Sequence, residues 1–167
     1  APPTCPSPIV LTCDAGTDSS SLSGPDAQNA IDLYSCVEWD YAGPEVVYSF
    51  TPTEDGDVRA SIAFDGTLAD LDLLVVGDLG GDCDPDGCVA ASDSVDSAES
   101  VLWTVTAGTS YYVVVDGVEG ATGAFDLVLD CTVDADGDGV GVDDDSDDAD
   151  PFQCSDTDTD GCDDCAN

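Results

Sequence analysis

The stretch Phe125-Asp126-Leu127-Val128-Leu129-Asp130-Cys131 alternates strictly, with Phe125, Leu127, Leu129 and Cys131 on one side and Asp126 and Asp130 on the other. Successive side chains of a strand point to opposite faces, so this period of two reads as a half-buried β-strand rather than a helical stripe. The same period recurs upstream. Tyr111, Val113 and Val115 alternate, as do Val101, Trp103 and Val105. Val58, Ala60, Ile62 and Phe64 point one way with Arg59 and Ser61 opposite, and Val46, Tyr48 and Phe50 share a face. Leu71–Val76 is apolar throughout apart from Asp72, and Cys88–Ser92 is a weaker strand signal. Glu54-Asp55-Gly56-Asp57 reads as a hairpin connection between two of these runs. Residues 1–8 are Pro-rich and read as extended, Ile9–Thr12 is a short apolar run, and residues 14–30 read as a long polar surface loop. No segment carries a convincing helical period. Roughly eight short strands separated by Gly- and Asp-rich turns predict an all-β fold, an antiparallel β-sandwich of jelly-roll type.

The composition changes abruptly at Cys131. Beyond it the only large apolar side chains are Val133, Val140, Val142 and Phe152, too few for hydrophobic collapse. Two units are therefore expected: a β-sandwich over residues 1–131 and an Asp-rich segment over residues 132–167, ordered by calcium and disulfides.

Charge narrows the function classes. The 167 residues carry 38 acidic side chains against one basic one, Arg59, for a formal net charge of −37. Without cations to displace counterions from phosphates, nucleic acid is excluded as a partner, and an anionic membrane surface is excluded on the same ground. No hydrophobic run reaches membrane-spanning length, so membrane insertion is not expected. Only five of the acids are Glu (Glu38, Glu45, Glu54, Glu99 and Glu119), and 14 of the Asp lie beyond Cys131. A surface charged merely for solubility would use Glu freely, whereas short Asp side chains at fixed spacing suit chelation of a hard cation. A halophilic surface and a disordered acidic tail are the competing explanations.

The sharpest motif is Asp134-Ala135-Asp136-Gly137-Asp138-Gly139-Val140-Gly141-Val142-Asp143-Asp144-Asp145. It has the layout D-x-D-x-D-G with a carboxylate at the twelfth position, as in a calcium loop of EF-hand type. Alternation sets Asp134, Asp136 and Asp138 on one concave side, and Gly139 lets the chain fold back. Val140 then offers its carbonyl, either Asp143 or a water the outer ligand, and Asp145 closure. A second copy follows, with Asp156, Asp158 and Asp160 as ligands, the carbonyl of Cys162 in the Val140 place, Asp164 at position nine and Asn167 at twelve. Asp147, Asp148 and Asp150 between the copies are candidates for a further or shared calcium site. Asp70, Asp72 and Asp116 form a third candidate group, because an acid in or beside an apolar strand is costly unless hydrogen-bonded or metal-bound. The plainer expectation for these three is acceptance of backbone N–H groups in turns.

Nine cysteines in so short a chain point to an oxidising compartment, hence a secreted protein at the cell surface or outside it. The absence of His and of paired CxxC knuckles argues against zinc. Cys83 and Cys88 bracket a Pro/Gly turn and are expected to pair with each other. Cys5, Cys13, Cys36 and Cys131 are candidates for stapling the chain ends to the sandwich, in a connectivity the spacing leaves open. Cys154, Cys162 and Cys165 leave one thiol over in the tail.

The tail resembles thrombospondin type-3 calcium repeats, whose ligand positions are matched by Asp134, Asp136, Asp138, Asp156, Asp158 and Asp160; Val142 departs from the repeat, which often has an acid there. The first 131 residues resemble the bacterial pre-peptidase C-terminal domain. The resemblance is carried by Gly43-Pro44-Glu45-Val46-Val47-Tyr48-Ser49-Phe50, Ala69-Asp70-Leu71-Asp72-Leu73, Cys83-Asp84-Pro85-Asp86-Gly87-Cys88 and Tyr111-Tyr112-Val113-Val114-Val115-Asp116-Gly117. It implies a β-sandwich appended as a non-catalytic module to secreted bacterial proteins, often hydrolases, some members binding calcium.

With no His and no Lys, mechanisms built on Ser-His-Asp, Cys-His or a catalytic Lys have no base, so no enzyme is expected. Trp39, Tyr41, Trp103, Tyr111 and Tyr112 are candidates for a sugar-binding surface, though core packing accounts for most of them. The expected role is a calcium-binding structural or adhesive module of an extracellular or cell-surface assembly, with other copies of itself, as in a filament, or surface and matrix polymers as partners. The alternative is an accessory, carbohydrate- or matrix-binding domain of a secreted hydrolase.

Overall fold

The computed structural model describes residue 5, residues 8–13 and residues 15–131. Nine strands occur in this part: β1 (Ile9–Val10), β2 (Thr17–Ser21), β3 (Val46–Phe50), β4 (Gly56–Phe64), β5 (Leu71–Asp78), β6 (Cys83–Ser92), β7 (Ala98–Val105), β8 (Tyr111–Gly117) and β9 (Ala124–Asp130). The one helical feature among the described residues is a 3-10 turn, Val118–Gly120. The strands form a five-stranded sheet in the order β1-β3-β8-β5-β6 and a four-stranded sheet in the order β2-β9-β4-β7. All strand pairs are antiparallel except β1 with β3. The fold is the β-sandwich that the period-two pattern predicts.

The alternating residues do what alternation requires. Val46, Tyr48, Phe50, Leu71, Leu73, Val75, Val113 and Val115 of the five-stranded sheet meet Val58, Ala60, Ile62, Val101, Trp103, Phe125, Leu127 and Leu129 of the other in one core. β7 and β9 show a pure buried/exposed alternation. β8 is buried along its whole length and β5 over its first six residues, because both faces of the five-stranded sheet are covered there. The outer face is covered by the long β2–β3 connection, residues 22–44, here called the strap. Ile31, Tyr34 and Tyr41 of the strap pack on Val47, Leu74, Val76, Tyr112 and Val114 to make a second, smaller core. The apolar run Leu71–Val76 thus signals a strand sandwiched on both faces.

Three expectations are corrected. Glu54-Asp55-Gly56-Asp57 is no hairpin: β3 pairs with β8, while β4 pairs with β7 and β9 in the opposite sheet. The apolar faces of β3 and β4 meet across the core instead of lying side by side, so the connection crosses between sheets. The polar stretch 14–30 contains a strand, β2, at the edge of the four-stranded sheet against β9. An edge strand has little apolar surface to bury, so Thr17-Asp18-Ser19-Ser20-Ser21 lacks a hydrophobic period. Asp18 is held instead by the Tyr48 hydroxyl, which donates to its Oδ2 at 2.8 Å.

Finally, Cys83 and Cys88 do not pair with each other. β6 continues through Pro85–Gly87 as an irregular strand rather than turning back on itself, and its two cysteines reach separate partners. Cys5 joins Cys83 and Cys36 joins Cys88, each pair with a Cα–Cα distance of 5.6 Å, and Cys13 joins Cys131 at 5.5 Å. The first two fasten the N-terminal arm and the strap to β6. The third ties the chain between β1 and β2 to the exit of β9, the stapling of ends that the cysteine positions suggested. Cys154, Cys162, Cys165 and the whole 132–167 segment, with both Asp-rich loops, lie outside the described residues.

Candidate functional site

The concentration of unusual chemistry lies beneath the strap. β5 and β8 run antiparallel with Asp72 opposite Asp116, and both side chains project from the outer face of the sheet, since Leu71, Leu73, Val113 and Val115 take the inner one. Val46 is opposite Val115. One residue further along the same register, Glu45 is beside Asp116. Three adjacent strand positions thus carry carboxylates in a row, Glu45–Asp116–Asp72, with exposures of 0%, 0% and 1%.

Each member of the row is met by donors from the strap or the backbone. The Ala30 N–H donates to Glu45 Oε1 at 3.0 Å. The Tyr34 hydroxyl donates to Asp116 Oδ2 at 2.7 Å, and the Gly117 N–H to Asp116 Oδ1 at 2.8 Å. The Tyr41 hydroxyl donates to Asp72 Oδ2. Tyr34 and Tyr41 are themselves packed edge to face, with centroids 5.3 Å apart, so the two hydroxyls are held as one unit. The backbone of the strap is fixed on either side: Gln28 and Glu45 exchange N–H···O bonds of 2.9 and 2.7 Å, and the Ser35 N–H donates to the Pro85 carbonyl at 3.0 Å.

All these donors are neutral. Arg59 lies on β4, opposite Leu102 and Asp130, and is exposed on the outer face of the other sheet. Burial without a compensating cation pushes Glu45 and Asp72 up to about 7 and Asp116 up to about 8. The hydroxyls of Tyr34 and Tyr41 are raised for the same reason, burial first and the neighbouring carboxylates second.

Of the candidate metal-binding residues within the sandwich, the fold brings Asp72 and Asp116 together as cross-strand neighbours. Asp70, half-buried, lies immediately before β5 and two residues before Asp72, and burial followed by the charge of Glu99 raises its carboxyl. Among the described residues only Cys5, Asp82 and Cys83 bring three metal-type donor atoms within 4.8 Å of one another, and there the sulfurs are joined in a disulfide. Asp70, Asp72 and Asp116 do not converge as a trio. The plainer expectation is met in part: Asp116 accepts a backbone N–H, that of Gly117, but within β8 and not in a turn, while Asp72 Oδ1 and Asp70 Oδ1 are buried with no hydrogen-bond partner among the described residues.

Sequence reasoning missed Glu45, Tyr34 and the anchoring role of Tyr41. A signal for Glu45 existed, because it precedes Val46-Val47-Tyr48 on the face opposite Tyr48. The aromatic residues divide as core packing predicts: Tyr41, Trp103, Tyr111 and Tyr112 are buried, and Trp39 alone of the five candidates is exposed, at 52%. Its indole N–H donates to Asp93 Oδ2 at 3.3 Å. No open cleft gathers a nucleophile and a base among the described residues, and the buried carboxylates are sealed by the strap.

No family model matches the chain, and no curated protein matches it in sequence. Solved structures resemble its fold. The pre-peptidase C-terminal domain of a collagenase from Bacillus anthracis superposes with a TM-score of 0.50 at 14% identity, covering 74% of this chain and 94% of that one. A surface-associated copper-binding protein of Methylomicrobium album BG8 gives 0.49 at 6% identity, over 77% of this chain and 98% of that one. A mitogen derived from Yersinia pseudotuberculosis gives 0.43 at 16%, over 69% and 83%. At such identities the likeness concerns architecture alone, and it agrees with the sandwich that the resemblance to pre-peptidase C-terminal domains implies.

Proposed function

We propose that the chain is a non-catalytic, secreted module whose Asp-rich C-terminal segment binds calcium, serving as a structural or adhesive unit of an extracellular or cell-surface assembly. The observation that carries this reading is the tandem pair of D-x-D-x-D-G loops, at Asp134–Asp138 and Asp156–Asp160, which follow directly on Cys131. Carboxylates on alternate residues, a glycine and a following carbonyl are the all-oxygen donor set of a calcium loop. The three disulfides fit an oxidising compartment, and among the described residues no helix is long and apolar enough to cross a membrane.

Thermal melting in EDTA and then in millimolar calcium at fixed ionic strength tests it. Ligand linkage makes the stabilisation calcium-specific, and the tail should become resistant to protease. Equal stabilisation by sodium or magnesium would remove the chelation argument and leave a halophilic surface. The second reading, an accessory domain of a secreted hydrolase, draws support from the fold shared with the collagenase domain. A carbohydrate-binding version has little to stand on, because four of the five candidate aromatics are in the cores. A catalytic domain in the same reading frame would favour the accessory role, and repeated copies of the module the structural one.

A further inference from the structure

The sheets end in the edge strands β1, β6, β2 and β7, and a long bare edge is a template for another strand. Among the described residues the first three are short or covered. β1 has two residues and β2 five. β6 contains Pro85 and two shifts of register, and the N-terminal arm and the strap are fastened along it through Cys5–Cys83, Cys36–Cys88 and the Ser35 N–H on the Pro85 carbonyl. β7 has none of these protections. It runs for eight residues without Pro, in unbroken register with β4. Alternation along an antiparallel ladder decides which of its backbone groups face outwards. Continuing that register sets Phe64 opposite Ser97, and the Phe64 N–H donates to the Ser97 carbonyl at 3.0 Å. Glu99, Val101, Trp103 and Val105 therefore bond to β4, and Ser100, Leu102 and Thr104 turn their N–H and C=O to the open side. The Ser100 N–H accordingly meets Ser92 Oγ at 3.4 Å, and just past the strand the Thr106 N–H meets the Tyr111 hydroxyl at 3.0 Å. Between these two caps, the backbone groups of Leu102 and Thr104 have no hydrogen-bond partner among the described residues.

Charge says what fits there. The outward side chains of β7 are Ala98, Ser100, Leu102 and Thr104, and Leu102 is 55% exposed. Beside them on β4 stand Asp57, Arg59, Ser61 and Ala63, with Arg59, the chain's one cation, opposite Leu102. One acid and one base leave this strip without net charge on a chain of formal charge −37. A basic partner would be drawn to the acidic remainder of the surface, whereas an equally acidic second copy meets least repulsion at this strip. We propose that two copies of the chain join edge to edge through β7, antiparallel about a two-fold axis at Trp103, so that Leu102 of each copy pairs with Thr104 of the other. In this register each such pair exchanges both of its N–H···O bonds, and the open groups of Leu102 and Thr104 are all met. Ser100 and Thr106, whose N–H groups are already taken, come opposite each other at the ends of the contact. The patch is self-complementary, as a two-fold contact requires, and the two four-stranded sheets become one. The inference rests on the reading of the chain as a structural module with copies of itself as partners, and it supplies that assembly with a contact in which calcium has no part.

Sedimentation velocity of the full chain over a series of concentrations, at physiological ionic strength in EDTA and again in calcium, reads the stoichiometry. Residue-resolved amide exchange reads the edge. The expected result is a reversible monomer–dimer equilibrium in both solutions, with the Leu102 and Thr104 amides becoming protected as the concentration rises. Two substitutions act on the contact without touching the ladder to β4. Leu102→Lys puts a charge on the exposed side of the edge. Thr104→Pro removes an N–H that points away from β4, a place where an edge strand tolerates proline. Each should weaken the dimer by roughly tenfold or more, because the two-fold axis applies every loss twice. Val95→Lys, at an exposed position of the β6–β7 connection, adds the same charge and should leave the dimer intact. Lysine lowers the general repulsion between copies of so acidic a chain, so a loss confined to Leu102→Lys belongs to the contact. Near-UV circular dichroism checks that each variant is folded, and Leu102→Lys carries the test if Thr104→Pro is not. A chain that stays monomeric at every concentration overturns the proposal. So does association indifferent to both substitutions, or Leu102 and Thr104 protection independent of concentration, which would mean that the chain's own residues cover the edge. A dimer seen only in calcium overturns it while leaving the calcium-binding tail in place, and a dimer without calcium-specific stabilisation does the reverse.

Discussion

Glu45 shows how a single buried acid shapes stability. It donates nothing, accepts the Ala30 N–H, and has Asp32 and Asp116 as its charged neighbours, so burial outweighs the hydrogen bonds that favour its ionised form. Its folded value of about 7 lies above the unfolded value of 4.5. The folded state therefore prefers the protonated acid. The stability this gives is complete below pH 4.5, declines as the pH rises through about 7, and is absent above that. Glu45→Gln should flatten that part of the stability–pH curve, by an amount on the order of 1–3 kcal/mol between its ends. Chemical denaturation in EDTA at a series of pH values measures it, and parallel curves for the two proteins would show that Glu45 is not the source. Tyr34→Phe acts at the same scale by a different route. It strips the buried Asp116 Oδ2 of its hydroxyl donor and should cost about 1–3 kcal/mol. A loss below that range would mean that solvent reaches the carboxylate.

At the scale of elements, strands with one dry face were readable and the strap was not. Phe125–Cys131 and Val101–Val105 announce themselves because one side of each meets the core and the other meets water. β2 was invisible since its inward positions are Asp18 and Ser20, and an edge strand satisfied by Tyr48 needs no apolar period. The hairpin misreading of Glu54–Asp57 has a related cause. Alternation states which face of a strand is buried, but not which strand is its neighbour. The strap has neither period, being held by two tyrosines, two β-bridge hydrogen bonds and a disulfide, each a long-range contact that local pattern cannot encode. The acids at Asp70, Asp72 and Asp116 are legible as costly; the sealing of Asp72 and Asp116 under the strap with Glu45 is not. Where the strap returns to the sheet, Gly43 passes against the 3-10 turn: a Cβ there would lie 2.6 Å from Gly120 Cα, backbone against backbone. Neither side can yield cheaply. Gly43→Ala should destabilise the protein by about 1–3 kcal/mol, and hydrogen exchange should show the loss concentrated in residues 27–45. Exchange that rises evenly over both sheets instead would mean that the strap does not open as a unit.

Across the whole molecule, 38 acids and one Arg leave cohesion to apolar burial and covalent ties, because attraction between side-chain charges is almost wholly missing. Exposed like charges are screened beyond roughly 8–10 Å at physiological salt, so the surface repulsion is manageable, whereas the buried row under the strap is beyond the reach of screening. Under such repulsion the denatured chain is expanded, and cross-links that forbid expansion gain importance. Cys13–Cys131 has the greatest reach, with a sequence separation of 118. It joins the segment after β1, which belongs to the five-stranded sheet, to the end of β9, a strand of the four-stranded sheet. One bond therefore holds the two layers together at the point from which the Asp-rich segment departs. For a closed loop of that length, chain entropy alone gives about 4–5 kcal/mol at room temperature. Replacing both cysteines with Ser should lower the unfolding free energy by about 3–5 kcal/mol. Added sodium chloride should recover part of the loss, since screening compacts the acidic denatured chain that the disulfide otherwise restrains. A double variant that loses less than about 1 kcal/mol, or whose deficit is indifferent to salt, would show that the restraint on the expanded chain is not what this disulfide provides.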